Sequence, residues 1–279
     1  MRFPCRIQPH QLGGLRYNNI RMWRVVPASV VGTSHERSGV PCQDAHDFLR
    51  INTGDDELLI IAVADGAGSA IHSEIGSSEA VQHLVTVIPH SDLNSVQITA
   101  EQVREWMRQV LNHLTTVAER EHTTLSQLAC TLLLGIIGSN GAVFAQIGDG
   151  GWVVELDGTL VQGTWPQTGE FANITTFITT DMALDTMQFV RLEGSIGAVA
   201  GFTDGLQTLA LNFAGRKPHA PFFQPMFDII RACRDETSLI APLQTFLASE
   251  AVTVRTDDDK TLVLACWRDT EDASNDAGQ

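Results

Sequence analysis

Four aspartates stand at the ends of apolar runs: Asp65 in LLIIAVADGAG, Asp149 in VFAQIGDGG, Asp204 in AVAGFTDGL and Asp258 in DDDKTLVLA. Runs of this kind read as buried strands, and a carboxylate at such a place is costly unless a cation or a set of donors receives it. A metal ion is the simplest receiver. Oxygen-only ligands suit Mg²⁺ or Mn²⁺, which take a few carboxylates and keep several waters. Two divalent ions carry about the charge that four aspartates neutralise, and a phosphate can then approach a site that would otherwise repel it. A lone Asp-Gly is a weak signal, being also a favoured turn dipeptide. Here Asp65-Gly66, Asp149-Gly150 and Asp204-Gly205 all follow strand-like runs. Glycine also lets a backbone carbonyl approach a ligand with no side chain in the way.

The elements that would position these residues follow from hydrophobic period. Strands are expected over WRVVPASVVG after Met22, over about 46–52 and 58–64, the last nearly all apolar and so buried on both faces. Helices are expected over about 73–87 and 99–121, where Val103, Trp106, Met107, Val110, Leu111, Leu114 and Val117 repeat at three- and four-residue steps. LACTLLLGIIG, AVFAQIGDG and WVVELDGTLVQG, broken by Gly, Asn-Gly and Asp-Gly, read as an antiparallel meander. WPQTGEFANITTFITTD reads as a loop and then a strand, TMQFVRLEG as another strand, about 222–234 and 238–251 as helices, and TLVLACW as the closing strand. Hairpins with paired helices argue for an α+β fold of antiparallel sheets covered by helices, not a βαβ repeat.

At 279 residues and 43% hydrophobic, the chain can bury a full core, and one domain is expected over residues 22–268. Residues 1–21, rich in Arg, Gln and Asn, are expected to be a loose arm or to precede a native start at Met22. Residues 269–279 are expected to be a disordered acidic tail. With Asp+Glu at 33 and Lys+Arg at 18, the formal charge of -15 offers no basic stripe to nucleic acid or an anionic membrane surface. No apolar stretch is long enough to span a bilayer, and no signal peptide is legible at the N-terminus. The five scattered cysteines, Cys5, Cys42, Cys130, Cys233 and Cys266, fit no zinc spacing and read as reduced thiols of a cytoplasmic protein.

The segments GTSHERSGVPCQDAH (32–46), VADGAGSAIHSEIGS (63–77), LACTLLLGII (128–137), AQIGDGGWVV (145–154), FTDGL (202–206) and DDDKTLVLA (257–265) resemble, in order and spacing, the type 2C (PPM) metal-dependent serine/threonine protein phosphatases, and among them a bacterial branch. The resemblance covers about residues 23–267 and implies an αββα four-layer sandwich of two stacked antiparallel sheets flanked by helices. It further implies that Asp65 bridges two Mn²⁺ or Mg²⁺ ions, that the Gly66 carbonyl ligates one of them, and that Asp204 and Asp258 complete the other. Asp44 would hold water at the metals, and Asp149 with Asp204 would take a third, weaker ion. Asp257 or Asp259 could replace Asp258 in register, although Asp258 best overlays the family pattern. The implied reaction is hydrolysis of phosphoserine or phosphothreonine by a metal-activated water, without a covalent enzyme intermediate. The implied partner is a phosphorylated protein, with a Ser/Thr kinase working in opposition.

Two departures stand out. Many members carry His directly after the Asp-Gly pair, where it can protonate the leaving group; here that residue is Ala67, with His46 or His72 as substitutes. Where the family places a phosphate-binding Arg, this chain has Gly39. Arg37 is the expected replacement and His35 a second candidate. These departures leave open a catalytically weak, PPM-like regulatory domain that binds a phosphorylated partner. Glu170 and Asn173 lie where members place a flap over the site; a loop cap is the plainer reading. VADGAGSA reads poorly as a dinucleotide-binding turn, because Ile71 would crowd the helix against the sheet. Cys42 lacks the phosphate loop that would accompany a catalytic thiol.

Overall fold

A computed structural model describes residues 22–52, 57–89, 94–166 and 175–268. The arm, the tail, Glu170 and Asn173 lie outside the described residues. In chain order the elements are β1 (Met22–Val30), α1 (Thr33–Ser38), β2 (Ala45–Asn52), β3 (Glu57–Ala64), α2 (Ser73–Val87), α3 (Ala100–Arg120), β4 (Leu132–Gly138), β5 (Gly141–Ile147), β6 (Gly151–Leu156) and β7 (Thr159–Thr164). They continue with β8 (Gln188–Glu193), β9 (Ile196–Phe202), α4 (Gln207–Ala210), β10 (Leu211–Asn212), β11 (Lys217–Pro218), α5 (Ala220–Ala232), α6 (Ile240–Leu247), α7 (Glu250–Thr253) and β12 (Lys260–Arg268).

Two five-stranded antiparallel sheets result, ordered β2-β3-β4-β5-β8 and β1-β12-β9-β6-β7. Period two along β3 explains the stacking. Leu59, Ile61 and Val63 join Phe144, Trp152, Val199 and Val263 between the sheets. Leu58, Ile60 and Ala62 face the other way, into a core shared with Leu84 of α2 and Met107 of α3. The second sheet buries its outer face, including Val26, Ala200 and Leu264, against Phe223 and Phe227 of α5 and Leu243 of α6. Helix, sheet, sheet and helix layers follow, the expected sandwich. Ile61 is fully buried between the sheets, so Ile61→Ala is expected to cost roughly 2–5 kcal/mol in urea unfolding. A loss under 1 kcal/mol would contradict that packing.

Both early helices lie where the sequence places them, α3 opening on a capping box in which Thr99 and Gln102 exchange hydrogen bonds. The expected meander is corrected. β4–β5 and β6–β7 are both hairpins, but they belong to different sheets, and the chain crosses between them at Gly148-Asp149-Gly150. Gly148 and Gly150 have φ of +98° and +97°, angles open to glycine. An Asp-Gly break looks the same in sequence whether the chain turns back or steps across. Residues 175–187 form turns where a strand was expected, although β8 lies where TMQFVRLEG placed it. The helix expected over 238–251 divides into a 3₁₀ turn, α6 and α7, the last with Ser249 in extended conformation at its N-cap.

Candidate metal centre

The ends of both sheets meet at a cavity of about 200 Å³ whose lining includes Asp65, Asp149, Asp204 and Asp258. Each arrives from a different element: Asp65 after β3, Asp149 at the sheet crossing, Asp204 at the 3₁₀ turn after β9, and Asp258 before β12. Hydroxyls and amides hold them in place. The Asp65 amide donates to Thr131 Oγ1 at 2.9 Å, and the Thr131 amide donates to the Asp65 carbonyl at 2.8 Å. Thr175 Oγ1 donates to Asp149 Oδ2 at 2.8 Å. Gly66 donates its amide to the Gln43 carbonyl at 3.1 Å, so close that an added Cβ would lie 2.7 Å from that oxygen. Here glycine is required by close approach rather than by a turn.

Asp44 lies next to this group, buried, and accepts from Thr203 Oγ1 at 2.7 Å. Thr203 in turn accepts the Thr261 amide at 2.9 Å, joining β12 to the end of β9 beside Asp204.

One carboxylate oxygen from each of Asp65, Asp149 and Asp204 lies within 4.8 Å of the others. Burial pushes the Asp65 carboxyl well above its usual range, and the charges of Asp44 and Asp204 push it further. Burial does the same to Asp44, opposed by the Thr203 hydrogen bond. Asp204 is raised to about 6, first by burial, with a hydrogen bond from Asp65 opposing and the charges of Asp149 and Asp258 adding. Burial raises Asp149 as well. The buried Oδ1 atoms of Asp44 and Asp204 have no hydrogen-bond partner. Converging carboxylates, two of them with orphaned oxygens, suit a hard divalent cation: the donors are all oxygen, and a cation supplies what burial withholds.

The metal-free protein should therefore weaken with rising pH. Asp204 has a folded pKa of about 6 against an ordinary 3.8, so the folded state binds the extra proton between these values. Its stabilising contribution is full below pH ~3.8 and is lost as pH rises through ~6, a change on the order of 3 kcal/mol. Chelated protein scanned thermally from pH 5 to 8 should lose Tm, and Asp204→Asn should flatten the slope. An unchanged slope in that variant would contradict the assignment.

The three adjacent acids before β12 have separate places. Asp258 lines the cavity. Asp257 is exposed and lies 3.9 Å from Arg37. Asp259 is buried and accepts the amides of Gly32 and Gln43, each at 2.6 Å. Arg37 stands apart from the cavity lining: 72% exposed, it folds back one helical turn to donate to the Thr33 carbonyl at 2.8 Å. His46 is turned into the sandwich, with Nδ1 2.8 Å from Ser29 Oγ, and burial lowers its pKa. His72 is the N-cap residue of α2. Neither lines the cavity, whereas His35 does. Burial, helped by Asp44, pushes the Cys42 thiol up to about 12, far from a nucleophilic thiolate.

Sequence reading missed Thr131, Thr175, Thr203 and the clamp made by Asp259. The legible part of that signal was a hydroxyl beside an aspartate at a strand end, as in Phe202-Thr203-Asp204.

A model of the protein phosphatase 2C family matches residues 31–248, and the chain belongs to this family. It is 40% identical over 252 residues to serine/threonine-protein phosphatase 3 of Escherichia coli (strain K12), covering 88% of this chain and 98% of that protein. Its fold is similar to that of PppA, a key regulatory component of T6SS in Pseudomonas aeruginosa, with TM-score 0.59, 19% identity, and coverage of 90% of this chain and 100% of the other. It is likewise similar to Stp1 of Staphylococcus aureus, with TM-score 0.58, 17% identity, and coverage of 91% and 99%.

Proposed function

We propose that this protein removes phosphate from phosphoserine and phosphothreonine in proteins with the help of Mn²⁺ or Mg²⁺. The carrying observation is the convergence of Asp65, Asp149 and Asp204 within 4.8 Å in a concave site. A similar serine/threonine phosphatase at 40% identity supports the reaction class.

Asp65, Asp204, Asp258 and the Gly66 carbonyl would hold two ions, and Asp149 with Asp204 a weaker third. When bound, such ions supply a water of lowered pKa and positive charge for the phosphoryl oxygens. The remaining chemistry belongs to the chain. Asp44, fixed by Thr203 through Oδ2, leaves Oδ1 free to accept a proton from water and orient it. Burial holds the Cys42 thiol at about 12, which is in keeping with direct hydrolysis rather than attack by that thiol. Arg37 would reach a phosphate only by leaving Thr33, so Arg37→Ala is expected to change KM less than about threefold, the worth of a weak contact. A tenfold rise would restore Arg37 as the phosphate ligand.

The working place we propose is the cytoplasm, opposite a Ser/Thr kinase, in keeping with scattered free thiols and with no helix among the described residues long and apolar enough to cross a membrane. Phosphate release from a phosphothreonyl peptide, measured with Mn²⁺, with Mg²⁺ and with chelator, tests the reaction. Turnover equal in chelator would reject it.

A further inference from the structure

The family resemblance implies a proton-donating His directly after the Asp-Gly pair. In this chain the residue is Ala67, buried among Ala70, Ala129 and Phe177, with its amide donated to the Ala129 carbonyl at 2.9 Å. Nothing at that position can protonate a departing alkoxide. His46 and His72 lie outside the cavity lining, which leaves His35 as the one nitrogen-bearing side chain among the described residues that line it.

His35 is firmly placed. It sits on α1, whose start is tied to the segment that carries Asp258: Gly32 donates to Asp259 Oδ1 at 2.6 Å, and Ser34 donates both its amide and its hydroxyl to the Asp257 carbonyl, at 2.9 and 2.7 Å. His35 Nδ1 lies 3.0 Å from Oδ2 of Asp259. The contact is off the line of a straight hydrogen bond, and the same oxygen receives the Gln43 amide at 2.6 Å. The side chain of Asp259 is only 2% exposed and that of His35 17%. A carboxylate against Nδ1 favours the ring orientation that leaves Nε2 on the opposite side.

We propose that His35 is the general acid of this enzyme, with Asp259 as its positioning residue. The inference rests on the phosphatase reading above. As water forms the new P–O bond, the bond from phosphorus to the seryl or threonyl oxygen breaks and its electron pair goes to that oxygen, which takes the Nε2 proton of His35. Neutral His35 keeps Nδ1–H toward Asp259 and regains a proton from solvent, while the attacking water releases one. Atoms and charge balance, giving the free hydroxyl and inorganic phosphate.

A general acid matters in proportion to how poor the leaving group is. His35→Gln is expected to cut kcat/KM on a phosphoseryl peptide by about 10²-fold or more. On p-nitrophenyl phosphate, whose phenolate departs unaided, the loss should stay within about threefold. An equal loss on both substrates, or none on either, would overturn the proposal and leave the phosphatase reading intact. A wild-type protein inactive on both with Mn²⁺ would instead sink the phosphatase reading. Manganese uptake by His35→Gln should match wild type; lost uptake would make His35 part of the metal site instead. In the metal-free protein at alkaline pH, ¹⁵N shifts should show the His35 proton on Nδ1, and a proton on Nε2 would contradict the role of Asp259.

Discussion

Replacing Asp65 by Asn is expected to abolish turnover and, in the same molecule, to stabilise the metal-free fold. Asp65 meets the charges of both Asp44 and Asp204, and burial alone already disfavours its ionised form. An amide of the same shape keeps the backbone bonds to Thr131 and removes a charge that the interior does not compensate. The gain in chelated protein at pH 8 should be roughly 1–3 kcal/mol by urea unfolding. Activity should move the opposite way, by at least about 10³-fold, since Asp65 is one of the carboxylates that would hold the ions supplying an activated water. A variant that is both inactive and destabilised would mean that Asp65 serves the fold rather than a metal.

Divalent ions should raise stability by mass action. A ligand that binds only the native state adds about 2.7 kcal/mol per site at a hundredfold excess over Kd. For a domain of this size that corresponds to a Tm rise of roughly 5–10 °C. Mn²⁺ should give this shift to wild type and to Ile61→Ala alike, because Ile61 lies between the sheets, far in role from the carboxylates. It should give little or none to Asp204→Asn. A full shift in Asp204→Asn would place the ions elsewhere.

Much of the architecture was legible because its causes are local. β3 is apolar at every second position on both faces, and that pattern demands a layer on each side. The α3 stripe and its Thr99 cap define a helix without help from the rest of the chain. The sheet crossing at Gly148-Asp149-Gly150 was illegible for the opposite reason: which sheet receives β6 depends on pairing with β9, some forty residues further on, and not on the turn dipeptide. The site divides in the same way. Asp65, Asp149, Asp204 and Asp258 announce themselves as charges at the ends of apolar runs, and the chain brings all four to one cavity. Arg37 and His35 lie two positions apart on one short helix. Arg37 turns back to Thr33 whereas His35 meets Asp259, and that contact joins residues more than two hundred positions apart.

Calorimetric titration of Mn²⁺ into the chelated, intact protein tests the central claim most directly. The account requires uptake of two ions, with a weaker third, and loss of that uptake in Asp204→Asn. Absence of any manganese binding by the wild-type protein would contradict it.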